Sequence, residues 1–167
     1  MSDRLRAAAE EIAAEIGRVE RTEIEAIPAL WARRFAIASG ETDPVFYDAA
    51  AAAAGGWAGV PLPPLLLTAT RSWKAGPPRT QLEEDGTPAS DVGRPGGYDL
   101  RVLGGGQTVR FHADALAGVD LVNEVQVVAV TPKEGRSGSL LVVELERRFS
   151  TAAGELLVTC DESRILR

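Results

Sequence analysis

The 167-residue sequence is poor in the side chains that carry metal, redox and nucleophilic chemistry: it has one cysteine (Cys160), one histidine (His112) and one methionine. A lone cysteine excludes an internal disulfide framework and a cysteine-rich metal cluster. A lone histidine excludes any zinc site that needs two from one chain, so no metal site is expected and nothing calls for a cofactor. Only two lysines are present, Lys74 and Lys133, and 18 Lys+Arg stand against 24 Asp+Glu, a net charge of −6. That is the opposite of the basic surface that binds nucleic acid. No apolar run approaches the roughly 20 residues that span a bilayer. The charged start (Asp3, Arg4, Arg6, Glu10, Glu11) is unlike a secretory leader. The expectation is a cytoplasmic protein with neither a nucleic-acid nor a membrane partner.

With 45% hydrophobic and 25% charged residues, the chain has the composition of one ordinary globular domain. Leu5, Ala8, Ala9, Ile12 and Ile16 recur at helical spacing, predicting an N-terminal helix over residues 1–16 that stops at Gly17. Arg18 to Ala26 is short, charged and partly β-branched, which suits a strand. Pro28 and Gly40 bracket a second helix at about 28–38, with Leu30, Trp31, Phe35 and Ile37 expected to bury its faces. An Ala/Gly stretch at 49–60 has no legible structure. Pro61-Leu62-Pro63-Pro64 then leads into Leu65, Leu66, Leu67, Ala69 and Trp73, predicting an apolar central helix at about 63–73. Residues 74–98, rich in proline and glycine, have no period and read as a long functional or mobile loop.

Beyond residue 99 the pattern changes to strands. Leu121, Val125, Val127 and Ala129 alternate with Glu124, Gln126 and Val128, and Leu141, Val143, Leu145 and Phe149 with Val142, Glu144, Glu146 and Arg148. One apolar and one polar face is the mark of antiparallel strands covering a core on one side. Shorter runs at 107–111 and 155–166 add to them. The expected fold class is α+β, a curved antiparallel sheet wrapped around a central apolar helix, the hot-dog arrangement, over residues 17–167. The free edges of its long strands, 119–131 and 139–150, are expected to invite a second chain.

Four segments then carry a resemblance. Ala38-Ser39-Gly40-Glu41-Thr42-Asp43-Pro44-Val45-Phe46-Tyr47-Asp48 resembles the hydratase signature S-G-D-x-N-P-x-H-x-D. Pro63-Pro64 leads to Arg71-Ser72-Trp73, Gly104-Gly105-Gly106-Gln107 precedes Val109-Arg110-Phe111-His112, and Lys133-Glu134-Gly135-Arg136-Ser137-Gly138 opens a long strand. In this order they resemble the FAS1-like dehydratase branch of the MaoC hot-dog superfamily. The resemblance implies reversible addition of water to a trans-2-enoyl thioester of CoA or acyl carrier protein. The family's Asp and His move the proton, and backbone N–H groups hold the thioester oxygen.

Here the family's Asp falls on Glu41 and its His on Phe46, which cannot carry a proton. Pro61, Pro63 and Pro64 also lack N–H groups that could serve the oxygen. The resemblance is therefore to the non-catalytic subunits of heteromeric enoyl-CoA hydratases and dehydratases. It implies a catalytic hot-dog partner with an intact Asp/His motif, or else a homodimer. No catalytic residue is assigned. Phe46, Asp43, Pro64 and Leu65 are the expected acyl contacts, and Lys133, Arg136 and Gly138 the expected contacts for CoA phosphates, since arginine forks and glycine backbone suit anions.

Plainer roles stand beside these. Asp43 and Asp48 suit turn and helix caps, His112 a structural hydrogen bond, Cys160 an inert thiol, and the 133–138 segment a charged hairpin. Gly104–Gly106 is no dinucleotide fingerprint, having no strand–helix pair around it, and is expected to permit close backbone approach to a partner or to the pantetheine arm. Two other functions remain open: a self-sufficient hydratase or thioesterase using Glu41, Asp43 or His112, and a non-enzymatic acyl-CoA-binding module.

Overall fold

A computed structural model describes residues 1–70, 76–136 and 138–167. Ser2 caps helix α1 (Asp3–Ala14), its Oγ accepting from the Leu5 N–H at 3.3 Å. Strand β1 (Val19–Ile24), helix α2 (Ala29–Ser39), a 3₁₀ turn (Pro44–Phe46) and helix α3 (Ala49–Ala54) follow. After the short helix α4 (Leu66–Ala69), and with a 3₁₀ turn at Arg79–Gln81, come strands β2 (Val102–Phe111), β3 (Leu121–Gly135), β4 (Gly138–Thr151) and β5 (Leu156–Leu166). The strands form one antiparallel sheet in the order β1-β3-β4-β5-β2.

That order corrects the expected free edge. β3 and β4 are interior strands, and the edges are β1 and β2. Most of β2 is exposed.

Register sets the core face. Val125 faces Arg147 and Arg147 faces Cys160, while Val127 pairs with Leu145 and Leu141 with Leu166, so odd positions of β4 and even positions of β5 point inward. Two apolar clusters lie on that face. In one, Leu5, Ala8 and Ile12 of α1 meet Val125, Val127, Leu141, Val143, Leu145 and Leu166, so the N-terminal helix shares the sheet's core. In the other, Ile24, Ile27, Ala32, Leu62, Leu66 and Leu67 meet Leu121, Phe149, Leu157 and Val158. Asn123, Arg147, Glu162 and Arg164 occupy the same face. Arg164 donates to Glu162 Oε1 at 2.7 Å and Arg147 lies 3.7 Å from Glu162 Oε2.

The central helix is shorter than expected. Pro63, Pro64 and a left-handed Leu65 (φ 69°) hold its start back to Leu66, and extended Thr70 closes it. Residues 71–73 of the expected helix lie outside the described residues. Helix α2 buries only Ala32 and Ala36, with Phe35 half-buried; Leu30, Trp31 and Ile37 are exposed, contrary to expectation. The i, i+4 alanine pair makes its inward face, which leaves the larger side chains to the outside.

The expected loop is an ordered strap over 79–98 laid on the core face. The Gly93 N–H donates to Glu15 Oε2 at 3.2 Å and Tyr98 OH donates to Glu11 Oε2 at 2.8 Å. A Cβ on Gly93 (φ 67°) would sit 2.8 Å from Val143 Cγ1, so the strap rests its backbone directly on the sheet.

Candidate functional site

The 41–48 turn uses its polar atoms locally. Gly40 closes α2 in the left-handed region. Glu41 Oε1 accepts from the Thr42 and Asp43 N–H groups at 2.8 and 3.1 Å, and Tyr47 OH donates to the Glu41 carbonyl. Asp43 Oδ1 accepts from Val45 N–H at 3.1 Å, capping the 3₁₀ turn, and Asp48 Oδ1 accepts from Ala50 and Ala51 N–H at 2.6 and 3.1 Å, starting α3. Phe46 is half-buried at the end of the 3₁₀ turn.

A groove of about 390 Å³ lies between the 62–68 segment and the end of β2, with Leu62, Pro64, Leu65 and Thr68 on one side and Phe111 and Val158 on the other. Backbone bonds fix its walls: Leu62 N–H donates to Ala115 O at 2.7 Å and Ala117 N–H to Val60 O at 2.9 Å. Pro64 and Leu65, two of the expected acyl contacts, both border this groove. Leu65, a branched residue at positive φ and 46% exposed, is held in a region that costs an L side chain on the order of 1–2 kcal/mol. Asp43 and Phe46 do not border this groove: Asp43 is engaged as a cap, and Phe46 is half-buried at the end of the 3₁₀ turn.

His112 and Asp114 border the groove at the end of β2. The His112 ring, however, bonds through Nε2 to Thr159 Oγ1 at 3.0 Å, and Thr159 pairs with Arg148 on the outer face of the sheet. His112 and Glu41 therefore belong to separate local networks.

Thr68 also borders a second groove, of about 470 Å³, whose lining includes Val102–Gln107, Glu162 and Arg164. A bulge between Gly104 and Gly106 shapes it. A Cβ on Gly105 would fall 2.5 Å from Ser163 Oγ, so the glycine run permits close approach to this chain's own β5. Lys133 and Arg136 are exposed, with Gly138, where β3 turns into β4. Cys160 is buried and donates to Gln107 Oε1 at 3.3 Å; burial, reinforced by the Glu162 charge, pushes its thiol pKa up, which makes it a poor nucleophile. Among the described residues no group of His, Cys, Asp and Glu could hold a metal ion, and no helix is long and apolar enough to cross a membrane.

An antiparallel sheet covered on one face by short helices defines a hot-dog protein. Residues 14–160 match the family described as FAS1-like, dehydratase domain region, and the chain belongs to that family. The fold is shared with a chain of the ChsH1-ChsH2 complex from Mycobacterium tuberculosis (17% identity, TM-score 0.70, covering 96% of this chain and 89% of that one). It is shared too with a chain of the HadBC (3R)-hydroxyacyl-ACP dehydratase complex of the same organism (20%, 0.66, 90% and 96%). An (R)-hydratase from A. caviae involved in PHA biosynthesis is similar as well (21%, 0.65, 90% and 95%). A comparison with curated protein sequences gives no match.

Proposed function

We propose that this chain is the substrate-shaping subunit of a heteromeric enoyl-CoA hydratase (in reverse, a 3-hydroxyacyl-thioester dehydratase), with the acid/base pair supplied by a second hot-dog subunit. The observation that carries this is the separation of groove from chemistry. The groove bordered by Pro64 and Leu65 is formed, while Phe46 stands at the family's histidine position and Glu41 is occupied by backbone N–H groups. The exposed edge strand β2, beside that groove, offers unpaired backbone groups to a partner strand. A self-sufficient enzyme would need Glu41 or Asp43 to meet His112, and these are engaged elsewhere.

The purified chain alone is expected to hydrate trans-2-enoyl-CoA substrates negligibly, because losing a positioned acid–base group costs about 10²–10⁴-fold. Adding a hot-dog partner with an intact Asp/His motif should restore turnover. Robust hydration by the pure chain, abolished in Glu41→Gln, would overturn the proposal.

At the β3–β4 turn, Lys133, Arg136 and the Gly138 backbone are proposed to meet the nucleotide phosphates of CoA. Arg136→Ala should then weaken CoA-thioester binding and flatten its dependence on salt. An unchanged dissociation constant across a salt titration would leave the segment as a charged hairpin.

A further inference from the structure

We infer that the outer face of the sheet, at the end nearest the β3–β4 turn, is a contact surface for a second copy of this chain, stacked face to face about a twofold axis that runs across the strands. The outer face has two halves of different chemistry. Toward the Thr151 end of β4 its charges are used within the chain: Arg21 pairs with Glu124 at 3.4 Å, Gln126 donates to Glu146 Oε1 at 3.2 Å, and Arg110 pairs with Asp161. Toward the Gly138 end, the row Thr131, Val142, Ile165 and Leu103 crosses β3, β4, β5 and β2 in register. Strand alternation puts this row on the outer side, because Leu141, Val143, Arg164 and Leu166 are the buried neighbours. Leu103 is 40% exposed, and Val128, at the bulge between Val127 and Ala129, is 47% exposed. The solvated side of such a sheet is ordinarily polar, so an apolar row there calls for cover.

Charge decides what covers it. Lys133 follows Thr131 by two residues and Arg101 precedes Leu103 by two, which puts both cations on the turn side of the row. Glu144 follows Val142 by two and lies on the other side. All three are exposed, and among the described residues none of them is in an ion pair. A twofold axis along the strands would lay cation over cation. An axis across the strands reverses the direction along them, so the Val142 row meets itself and the Lys133 side of each copy faces the Glu144 side of the other. The surface is therefore self-complementary in the isologous sense, with the two sheets about 10 Å apart. A purely apolar partner would instead cover Lys133 and Glu144 without pairing them. Four strands about 4.8 Å apart, over residues 140–146 at about 3.3 Å each, make a patch on the order of 450 Å². That is below the roughly 800 Å² per partner of a standard interface, so the dimer is a weak one, in the micromolar range. It uses the side of the sheet away from both apolar clusters and is independent of the catalytic reading.

Sedimentation velocity of the full chain, from about 1 to 200 μM at low salt, tests this. Wild type should show a concentration-dependent monomer–dimer equilibrium. Glu144→Lys and Lys133→Glu, both at exposed positions, should each weaken it at least about tenfold by opposing like charges. The double variant Lys133→Glu/Glu144→Lys should return to within about threefold of wild type. Val142→Lys, which brings two lysines together on the axis, should leave a monomer. A wild type that stays monomeric throughout would overturn the inference. So would a dimer that survives either charge reversal or Val142→Lys, which would place the contact elsewhere on the molecule, or a double variant no tighter than the single ones.

Discussion

The 41–48 turn and the 62–68 segment are both short, irregular stretches within the part of the chain that matches the family, yet their atoms are used in opposite ways. In the turn, the carboxylates of Glu41, Asp43 and Asp48 all accept neighbouring backbone N–H groups, and none borders the groove. In the 62–68 segment, two prolines and a strained Leu65 shape a cavity, and no titratable side chain is present. Carboxylates in such a motif can thus serve the turn itself, because a carboxylate that caps a turn holds the local backbone whether or not it does chemistry. A groove, by contrast, persists only while its walls are packed against something.

The largest expected effect follows from that packing. Leu67 is 4% exposed, belongs to the cluster around Phe149 and Val158, and also lines the groove. Leu67→Ala should cost about 2–5 kcal/mol, because the cavity left behind adds to the lost transfer energy. For a chain of this size that is a fall in Tm of roughly 5–15 °C. Phe46→Ala, in the half-buried turn, should lower Tm by less than half as much. Thermal melts of the two variants decide it. Equal losses would mean that the turn is as deeply built into the core as the groove wall, and the contrast would fail.

The same contrast explains what was legible in the sequence. Period-2 alternation located β3, β4 and β5 closely, because burial on one face imposes it directly. Sheet order was not legible, since which strands become edges is set by long-range pairing, and the long strands turned out to be interior. The large apolar residues of α2 misled because two alanines, not Leu30 and Trp31, form its inward face. Prolines 63 and 64 correctly marked a helix start but placed it too early, because they force an extended entry before Leu66. At the candidate site, the cap roles of Asp43 and Asp48 were readable from residue type and spacing, as caps depend on neighbours only. The Arg147–Glu162–Arg164 band was missed, although a signal existed: these charges fall in phase with Leu145, Phe149, Val158 and Leu166, at positions the alternation reserves for the core. The strap was illegible for a different reason, since its fixing contacts, among them the Gly93 N–H on Glu15 and the Val92 carbonyl on Arg164, join distant parts of the chain.

The smallest expected effect sharpens the comparison most. Glu41 Oε1 serves as a hydrogen-bond acceptor for two backbone N–H groups, and a glutamine places an amide oxygen at the same point. If the carboxylate's role is confined to the turn, Glu41→Gln exchanges a charge-assisted acceptor for a neutral one at a half-buried site. The change should stay within about 0.5 kcal/mol. The Tm should move by no more than roughly 2 °C, and turnover of the chain assembled with a catalytic hot-dog partner should be unchanged across pH. Paired pH–rate profiles of wild-type and Glu41→Gln complexes make the measurement, because an acid–base group would move a limb of the profile and a cap would not. A lost limb or a large fall in turnover, with the melt unaltered, would show Glu41 acting on substrate and erase the distinction between the two regions.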